Sequence, residues 1–121
     1  MAIVINCVTI AGFIDFDPAV CPAVLTEARP FIEDARAQPG CVAYTWAFDP
    51  LVPGRVQVFE EWESEDALHN HFAGRPYRQM GDHLARVGMK GFTIKMYGVA
   101  VSEPVYDENN RPRPIFFEGK R

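Results

Sequence analysis

The stretch from Ile3 to Phe16 constrains the fold more than any other part of the sequence. Its residues are mainly β-branched and apolar, with Asn6 and Thr9 as the polar interruptions and Asp17-Pro18 after the run. This composition predicts a β-strand. Because both alternating faces of the strand are largely apolar, we expect a covering layer on each side rather than one face in water.

Helix signals follow directly. Asp17 offers an N-cap, Pro18 suits the first helical position, and apolar residues recur at helical spacing as far as Gln38. The sequence therefore predicts a first helix that begins at Pro18. Pro30 lies inside it, where the missing backbone N–H should kink the helix or split it in two. Pro39-Gly40 then supplies a stop and a turn.

The rest of the chain alternates between strand and helix patterns. The predicted elements are two strands over 41–48 and 55–63 that pair as a hairpin, a helix from Ser64 to Phe72 with Ser64 as N-cap, a helical segment from Pro76 to Val87, and a last strand over 92–101. This order is the split βαβ pattern of ferredoxin-like domains. We therefore predict an α+β fold with an antiparallel sheet whose one face is covered by helices. A second copy of the chain would cover the other face, which gives a homodimer with a ligand cavity in the barrel between the two sheets.

The 121 residues are enough for one domain. We predict this domain over 1–102 and a C-terminal arm over 103–121, where the sequence becomes polar and proline-bearing. Ile115, Phe116 and Phe117 form an apolar cluster within the arm. Exposed aromatic rings are unfavourable in water, so we expect the cluster to dock on its own domain or on the dimer partner.

Charge and cysteine content argue against several classes of protein. The formal net charge of −4 and the scattered basic residues disfavour a nucleic-acid surface, which needs clustered Lys and Arg. No apolar run is long enough to span a bilayer. Three cysteines without a CxxC pair fit free thiols in a reducing compartment. We therefore expect a cytoplasmic protein that binds neither nucleic acid nor membranes.

The segment 59–64, FEEWES, and His71 on the helix after it carry a family resemblance. They resemble the strand-to-helix signature of the antibiotic biosynthesis monooxygenase family, often seen as E-x-W-x-S with a histidine on the following helix. The PGC turn at 39–41, which precedes an aromatic-bearing strand, is also similar to the family. With the element order, the resemblance extends over 3–101 and implies a dimeric α/β barrel.

The resemblance implies one of several activities. The family includes cofactor-independent monooxygenases of phenols and quinols, haem-degrading enzymes, isomerases and members of unknown activity. Asn6 matches the first-strand asparagine of the haem-degrading relatives, but His71 stands where their helix carries tryptophan, and their later histidine falls near Gly81. The aromatic-polyketide monooxygenases carry a strand tryptophan, matched by Trp62, and an asparagine where this chain has Val58. We therefore favour a cofactor-independent monooxygenase that acts on a quinol or a polycyclic phenol.

Oxygenation of a phenol without metal or flavin requires loss of the phenolic proton, because the anion passes an electron to oxygen far more readily than the neutral phenol. A histidine near its ordinary pKa of ~6.5 suits the base, and an amide can donate a hydrogen bond to the developing oxyanion. We predict His71 and Asn6 as these catalytic residues. A structural hydrogen bond is the alternative role for either residue.

The predicted substrate-binding residues are Trp62, Tyr44, Tyr77, Tyr97 and His83. Together they could line an apolar aromatic pocket, and core packing is the alternative role for these rings. No metal site is predicted, because His69 and His71 are two apart on a helix and point in different directions. Glu60, Glu61 and Glu63 are predicted to be mostly solvated or paired to arginine.

We predict no cofactor, and we expect a small aromatic substrate and molecular oxygen as the partners of the homodimer. Two alternatives come from the same features. One is a non-catalytic dimeric protein that binds small ligands. The other is an isomerase or lyase on the same scaffold, because a histidine in an apolar cavity can also move protons between carbon atoms.

Overall fold

The computed structural model describes residues 3–116 of the chain. Its elements are β1 (Cys7–Phe16), α1 (Cys21–Arg36), β2 (Cys41–Phe48), β3 (Arg55–Trp62), α2 (Glu65–Phe72), α3 (Arg75–Val87) and β4 (Met89–Val99). The four strands form one antiparallel sheet in the order β2-β3-β1-β4. The predicted ferredoxin-like α+β fold is confirmed.

The three helices cover one face of the sheet. This helical face carries the buried even-numbered residues of the two central strands, which are Val8, Ile10, Ile14 and Phe16 on β1 and Val56, Val58, Glu60 and Trp62 on β3. At one end of the face, Val24 of α1 and Met80 of α3 pack with Ile14. At the other end, Ala35 of α1 and Leu68 of α2 pack with Trp62. The core therefore lies between the helices and the sheet.

The opposite face, which we call the open face, carries the odd-numbered residues of β1, β3 and β4. Phe59 and Tyr97 on this face are 43% and 48% exposed in the single chain. At the rim, the Arg55 guanidinium bonds to Asp15 at 2.8 Å and lies 3.6 Å from the centre of the Phe13 ring. One chain does not close the sheet into a barrel, and the second copy that would cover this face stays a prediction.

Helix α1 begins at Cys21, so the start predicted at Pro18 is wrong. The carbonyl of Asp17 accepts hydrogen bonds from the backbone N–H groups of Val20 and Cys21, and the Asp17 carboxylate accepts one from Ala19. These bonds form a separate turn before the helix. Pro30 lies inside one continuous helix rather than dividing it.

The turns around β2 and α2 follow the sequence signals. Gly40 has a φ of +83° at the entry to β2, a conformation that a residue with a Cβ adopts only with strain, and a Cβ there would also meet Ala67. Ser64 caps α2, because its side-chain oxygen accepts a hydrogen bond from the Ala67 N–H at 3.0 Å. β2 and β3 form the predicted hairpin.

The boundaries of the first and last strands in the sequence differ from the prediction. β1 begins at Cys7, so residues 3–6 precede the strand and are exposed. β4 spans Met89–Val99 rather than 92–101, and its backbone pairs along the whole length of β1. Apolar composition alone therefore placed the strand ends wrongly by two to four residues.

The C-terminal arm has local structure of its own. Tyr106 and Pro112 form an isolated β-bridge, and Arg113 bonds to Glu103 at 2.6 Å. Ile115 and Phe116 are each 55% exposed, whereas the third member of the predicted docking cluster, Phe117, lies outside the described residues. Docking of this cluster stays a prediction. Within residues 3–116, no helix is long and apolar enough to cross a membrane.

Candidate active site

A cavity of about 420 Å³ opens between α3, the end of α2 and the helical face of the sheet. Its walls are mainly aromatic and aliphatic. The residues that line it include Tyr44, Trp46, Glu60, Phe72, Tyr77 and Met80. This volume lies within the range of small-molecule sites. Apolar walls with a few polar groups are also typical of such sites. The cavity belongs to one chain, whereas the predicted cavity between two sheets would need a second chain and stays a prediction.

Glu60 is the carboxyl group in the cavity wall. It lies on β3 opposite Ile10 of β1 and Tyr44 of β2, and only 7% of its surface is exposed. Its Oε1 accepts a hydrogen bond from the Trp62 indole N–H at 3.0 Å. Burial raises the pKa of Glu60, and the Trp62 hydrogen bond offsets part of that rise. Glu60 is therefore an exception to the expectation that the three glutamates at 60, 61 and 63 are mostly solvated or paired to arginine.

His71 lies directly behind Glu60. It is 1% exposed, its Nδ1 is 2.6 Å from Gln38 Oε1, and its Nε2 is 3.9 Å from Glu60 Oε1. Because the Gln38 oxygen can only accept, Nδ1 carries the proton and the Nε2 lone pair faces Glu60. Burial lowers the pKa of His71 to about 4, so the ring is neutral at neutral pH. His71 does not itself line the cavity.

Aromatic rings fix the His71 imidazole from several sides. Trp62 stacks on it with ring centres 4.4 Å apart, while Tyr44 and Tyr77 each meet it edge-on at 5.6 Å. Phe72 completes the enclosure at 5.8 Å. Burial and the nearby Glu60 charge raise the pKa of Tyr44, so its hydroxyl stays protonated. The arrangement places a carboxyl with increased proton affinity against a nearly apolar space, backed by a neutral imidazole.

Two predicted substrate-binding residues, Tyr44 and Tyr77, do line this cavity. Trp62 does not, because it is fully buried beneath His71, where it packs and donates to Glu60. Tyr97 lies opposite Thr9 on the open face of the sheet. Tyr97 is therefore separated from the cavity by the sheet, because the alternation of β4 places Tyr97 and Met96 on opposite faces.

His83 and Asn6 also lie away from the cavity. His83 is buried between α1 and α3, where its Nε2 donates to the Val24 carbonyl at 2.8 Å. Asn6 precedes β1 and is exposed, and its amide donates to the carbonyl of Ala100. Both residues therefore make the structural hydrogen bonds that were the alternative to a role in the site. Their positions do not support the predicted substrate-binding role of His83 or the catalytic role of Asn6.

Two members of the site were not predicted from the sequence. Glu60 shares the parity of Val58 and Trp62 on β3, so its place on the buried face was available from the alternation of the strand. Gln38 reaches His71 across 33 residues, a contact that no local pattern indicates. Within residues 3–116, no group of three His, Cys, Asp or Glu side chains could hold a metal ion.

Several solved structures share this architecture. A protein of Deinococcus radiodurans assigned to the antibiotic biosynthesis monooxygenases superposes with a TM-score of 0.74 at 20% identity, over 83% of this chain and 99% of that one. A similarly assigned protein of Nitrosomonas europaea gives 0.72 at 15% identity, over 82% and 95%. A conserved protein of Methanosarcina mazei gives 0.69 at 18% identity, over 77% and 92%. At such identities these likenesses show the fold alone.

Sequence comparison agrees with the fold. An uncharacterized protein of Synechocystis is 26% identical over 96 residues, which are 79% of this chain and 65% of that protein, so the match spans less than two thirds of its length. The model of the antibiotic biosynthesis monooxygenase family matches residues 7–82, which is more than half of the chain and includes Glu60, Trp62 and His71. The chain therefore belongs to the antibiotic biosynthesis monooxygenase family.

Proposed function

We propose that this chain is a cofactor-independent monooxygenase whose substrate is a quinol or a polycyclic phenol. The observation that supports the proposal is the buried pair of Glu60 and His71 at the wall of a 420 Å³ aromatic cavity. The pair offers one proton acceptor, because burial raises the pKa of the Glu60 carboxyl and lowers the pKa of the neighbouring His71 imidazole, which stays neutral. Such a pair suits chemistry that begins with removal of a proton from the substrate.

The proposed reaction needs no reductant other than the substrate. Loss of the phenolic proton makes the ring electron-rich enough to reduce molecular oxygen. One oxygen atom then becomes a carbonyl oxygen at a ring carbon that carried one hydrogen. The second oxygen atom leaves as water, which contains that hydrogen and the proton taken from the phenolic hydroxyl. The protein contributes the proton acceptor, the orientation of the ring and the exclusion of bulk water.

The cavity favours a flat, largely uncharged ligand. Tyr44, Phe72 and Tyr77 present ring surfaces and edges along its wall, and Met80 adds a flexible apolar contact. A small number of polar groups in an apolar space fixes the orientation of a ligand without requiring a formal charge on it. These features support a polycyclic phenol over a sugar or a phosphorylated metabolite.

We also propose a homodimer that forms through the open face of the sheet. Phe59 and Tyr97 are both more than 40% exposed on this face, where Thr45 lies opposite Phe59 and Thr9 lies opposite Tyr97. A sheet with one apolar face uncovered is a common docking surface for a second copy. In this arrangement each chain keeps its own cavity on the helical side.

The test is oxygen consumption by the metal-free and flavin-free protein with a panel of quinols and anthrone-like phenols. We expect oxygen uptake with a product that has gained one oxygen atom. His71→Ala should abolish uptake. His69→Ala is the matched control, because His69 is exposed on the same helix and should leave uptake unchanged. Circular dichroism of both variants checks that the fold is retained.

The alternatives give different outcomes in the same experiment. A panel compound that binds without oxygen uptake would favour a non-catalytic ligand-binding protein. A product of unchanged mass would favour an isomerase, and cleavage without added oxygen would favour a lyase. Equal uptake by the wild type and His71→Ala would remove His71 from the mechanism.

A further inference from the structure

Glu60 and His71 form a buried pair, but only Glu60 lines the cavity. We propose that Glu60 is the catalytic residue that takes the proton from the substrate hydroxyl, and that His71 is a positioning residue behind it. The proposal rests on the proposed function and assigns a role within the same site. It differs from the sequence-based hypothesis, in which His71 was the base.

The geometry separates the two residues. His71 is enclosed by aromatic rings, its Nδ1 is engaged by Gln38 at 2.6 Å, and its Nε2 faces Glu60 at 3.9 Å. A ligand in the cavity would therefore meet the Glu60 carboxyl before it could reach the imidazole. A general base has to come within hydrogen-bond distance of the proton that it removes. Glu60 meets this condition from its position, whereas His71 acts through Glu60.

The two oxygens of Glu60 are held differently. Oε1 accepts the hydrogen bond from the Trp62 indole, which fixes the orientation of the carboxyl group. Oε2 makes no hydrogen bond within the part of the chain that the structure describes. A buried carboxyl with a purely structural role is normally hydrogen-bonded through both oxygens or paired with a cation. Here one oxygen is anchored, and the other is left for a ligand.

A second unsatisfied polar group lines the same cavity. The Trp46 indole nitrogen is buried and has no hydrogen-bond partner among the described residues. Its ring centre lies 6.2 Å from that of Tyr44, the residue that pairs with Glu60 across β2 and β3. A buried donor and a buried acceptor that line one cavity suit a ligand hydroxyl, which donates to Glu60 and accepts from a donor such as Trp46.

The proposed step is a single proton transfer. The O–H bond of the substrate breaks, its electron pair stays on the phenolic oxygen, and the proton forms a new bond to Glu60 Oε2. The titratable groups that surround this step are Cys41 and Tyr44 from β2, His71 from α2 and Tyr77 from α3. Lys95 of β4 also borders the cavity, but it pairs with Ala11 on the open face of the sheet. Burial raises the pKa of Glu60. The proton affinity of Glu60 is therefore closer to that of a phenolate than the proton affinity of an exposed carboxylate is.

A bound dye tests the position of Glu60 without turnover. 2-Hydroxyanthraquinone is already oxidised and changes colour when its hydroxyl ionises, so its pKa in the complex can be read by absorbance. A carboxylate beside the hydroxyl disfavours the phenolate, and Glu60→Gln should therefore lower the pKa of the bound dye by about one unit. Glu61→Gln is the matched control, because the adjacent residue lies on the open face and should leave the dye at its wild-type pKa.

Oxygen uptake with a panel quinol provides the second readout. Glu60→Gln should reduce kcat at least 100-fold while the dye binds within about threefold of the wild type. His71→Gln should reduce kcat and shift its pH profile, yet retain the wild-type pKa of the bound dye, because His71 does not contact the dye. If His71→Gln instead lowered the pKa of the bound dye as much as Glu60→Gln is expected to, His71 would be the contacting base.

The outcomes separate this proposal from the monooxygenase proposal. If the wild type takes up no oxygen but Glu60→Gln changes the pKa of the bound dye, the proposed reaction is contradicted and the placement of Glu60 is supported. Identical dye pKa values in the wild type and Glu60→Gln overturn the role of Glu60 even if uptake is observed. Absence of dye binding to the wild type overturns both the placement and the cavity as a phenol site.

Discussion

The two faces of the sheet treat carboxyl groups in opposite ways. On the open face, Asp15 pairs with Arg55 at 2.8 Å, about a third of its side chain is exposed, and the hydrogen bond from Arg55 holds its pKa below the usual value. On the helical face, Glu60 is buried, and within residues 3–116 its one partner at salt-bridge distance is His71, which is neutral. Burial therefore raises the pKa of Glu60. An arginine-paired carboxylate is a poor proton acceptor, whereas an unpaired buried one is a good one.

The contrast is sharpest between two neighbours in sequence. Glu60 and Glu61 are adjacent on β3, yet the alternation of the strand places one among Trp62 and Val58 and the other on the open face. The chemistry of a carboxyl here depends on which face it occupies rather than on its local sequence. Substitutions on the helical face should therefore change stability and proton chemistry, whereas substitutions on the open face should change assembly.

Removal of Trp62 should have the largest effect, because this residue is fully buried and holds both Glu60 and His71. Trp62→Ala should lower the free energy of unfolding by about 3–5 kcal/mol, from lost burial and the cavity left behind. Chemical denaturation followed by circular dichroism measures the change. Leu51→Ala, at a site 88% exposed, should change it by less than about 0.5 kcal/mol. Equal effects of the two substitutions would contradict the assignment of the core to the helical face.

The lowered pKa of His71 predicts a pH-dependent loss of stability. His71 titrates near 6.5 when unfolded and near 4 when folded, so the unfolded state binds the additional proton between these values. Stability is full above pH 6.5 and falls as the pH drops towards 4, by up to about 3 kcal/mol. His71→Gln should remove this dependence. Denaturation of both proteins from pH 7 to 4 measures the difference, and parallel curves would show that His71 is not held neutral.

The open face should govern assembly rather than folding. Phe59→Asp places a charge at the centre of the proposed dimer interface and should weaken self-association by about 30-fold, which corresponds to about 2 kcal/mol. The helical core of the chain should be unaffected. Sedimentation over a range of concentrations measures the dimer, and Leu51→Asp serves as a control in an exposed loop. A wild-type protein that sediments as a monomer would contradict the interface itself.

Most of the fold could be predicted because its signals are local. Strand composition, helical spacing and the turn residues around Gly40 and Ser64 gave the element order and hence the sheet topology. The start of α1 was misplaced because the turn at Asp17 competes with a helix N-cap for the same side-chain and backbone bonds. The start of β1 was misplaced because apolar residues precede its pairing with β4, which begins at Cys7.

The site was only partly predictable. His71 and Tyr44 could be proposed from residue type and family resemblance. In the structure, the centres of their rings are 5.6 Å apart. Asn6 was proposed from its residue type and its match to the first-strand asparagine of some relatives, and its hydrogen bond to Ala100 depends on where β4 ends. The Gln38 contact joins distant elements, so only the folded chain shows it. Glu60 was missed because an acidic run suggests solvent, although strand parity placed it on the buried face.

The smallest predicted effect separates the two adjacent carboxyls. Glu60→Gln keeps an acceptor for the Trp62 N–H and removes a buried charge, so we expect the free energy of unfolding at pH 8 to rise by on the order of 1 kcal/mol. Glu61→Gln should change it little, because that carboxyl is on the open face. Urea denaturation of the three proteins at pH 8 measures the difference.

The sign depends on pH in a specific way. The pKa of Glu60 is raised above its ordinary value of 4.5, so the folded wild type is favoured while the carboxyl is protonated and loses stability as the pH rises through the folded pKa. The advantage of Glu60→Gln should therefore be absent below about pH 4 and reach its full size once the pH exceeds the raised pKa of Glu60. The same substitution that stabilises the fold should abolish turnover, as expected when a proton acceptor is retained at the expense of stability. If Glu60→Gln were neutral at every pH, the burial of Glu60 would carry no energetic cost, and the contrast between the two faces would be one of position alone.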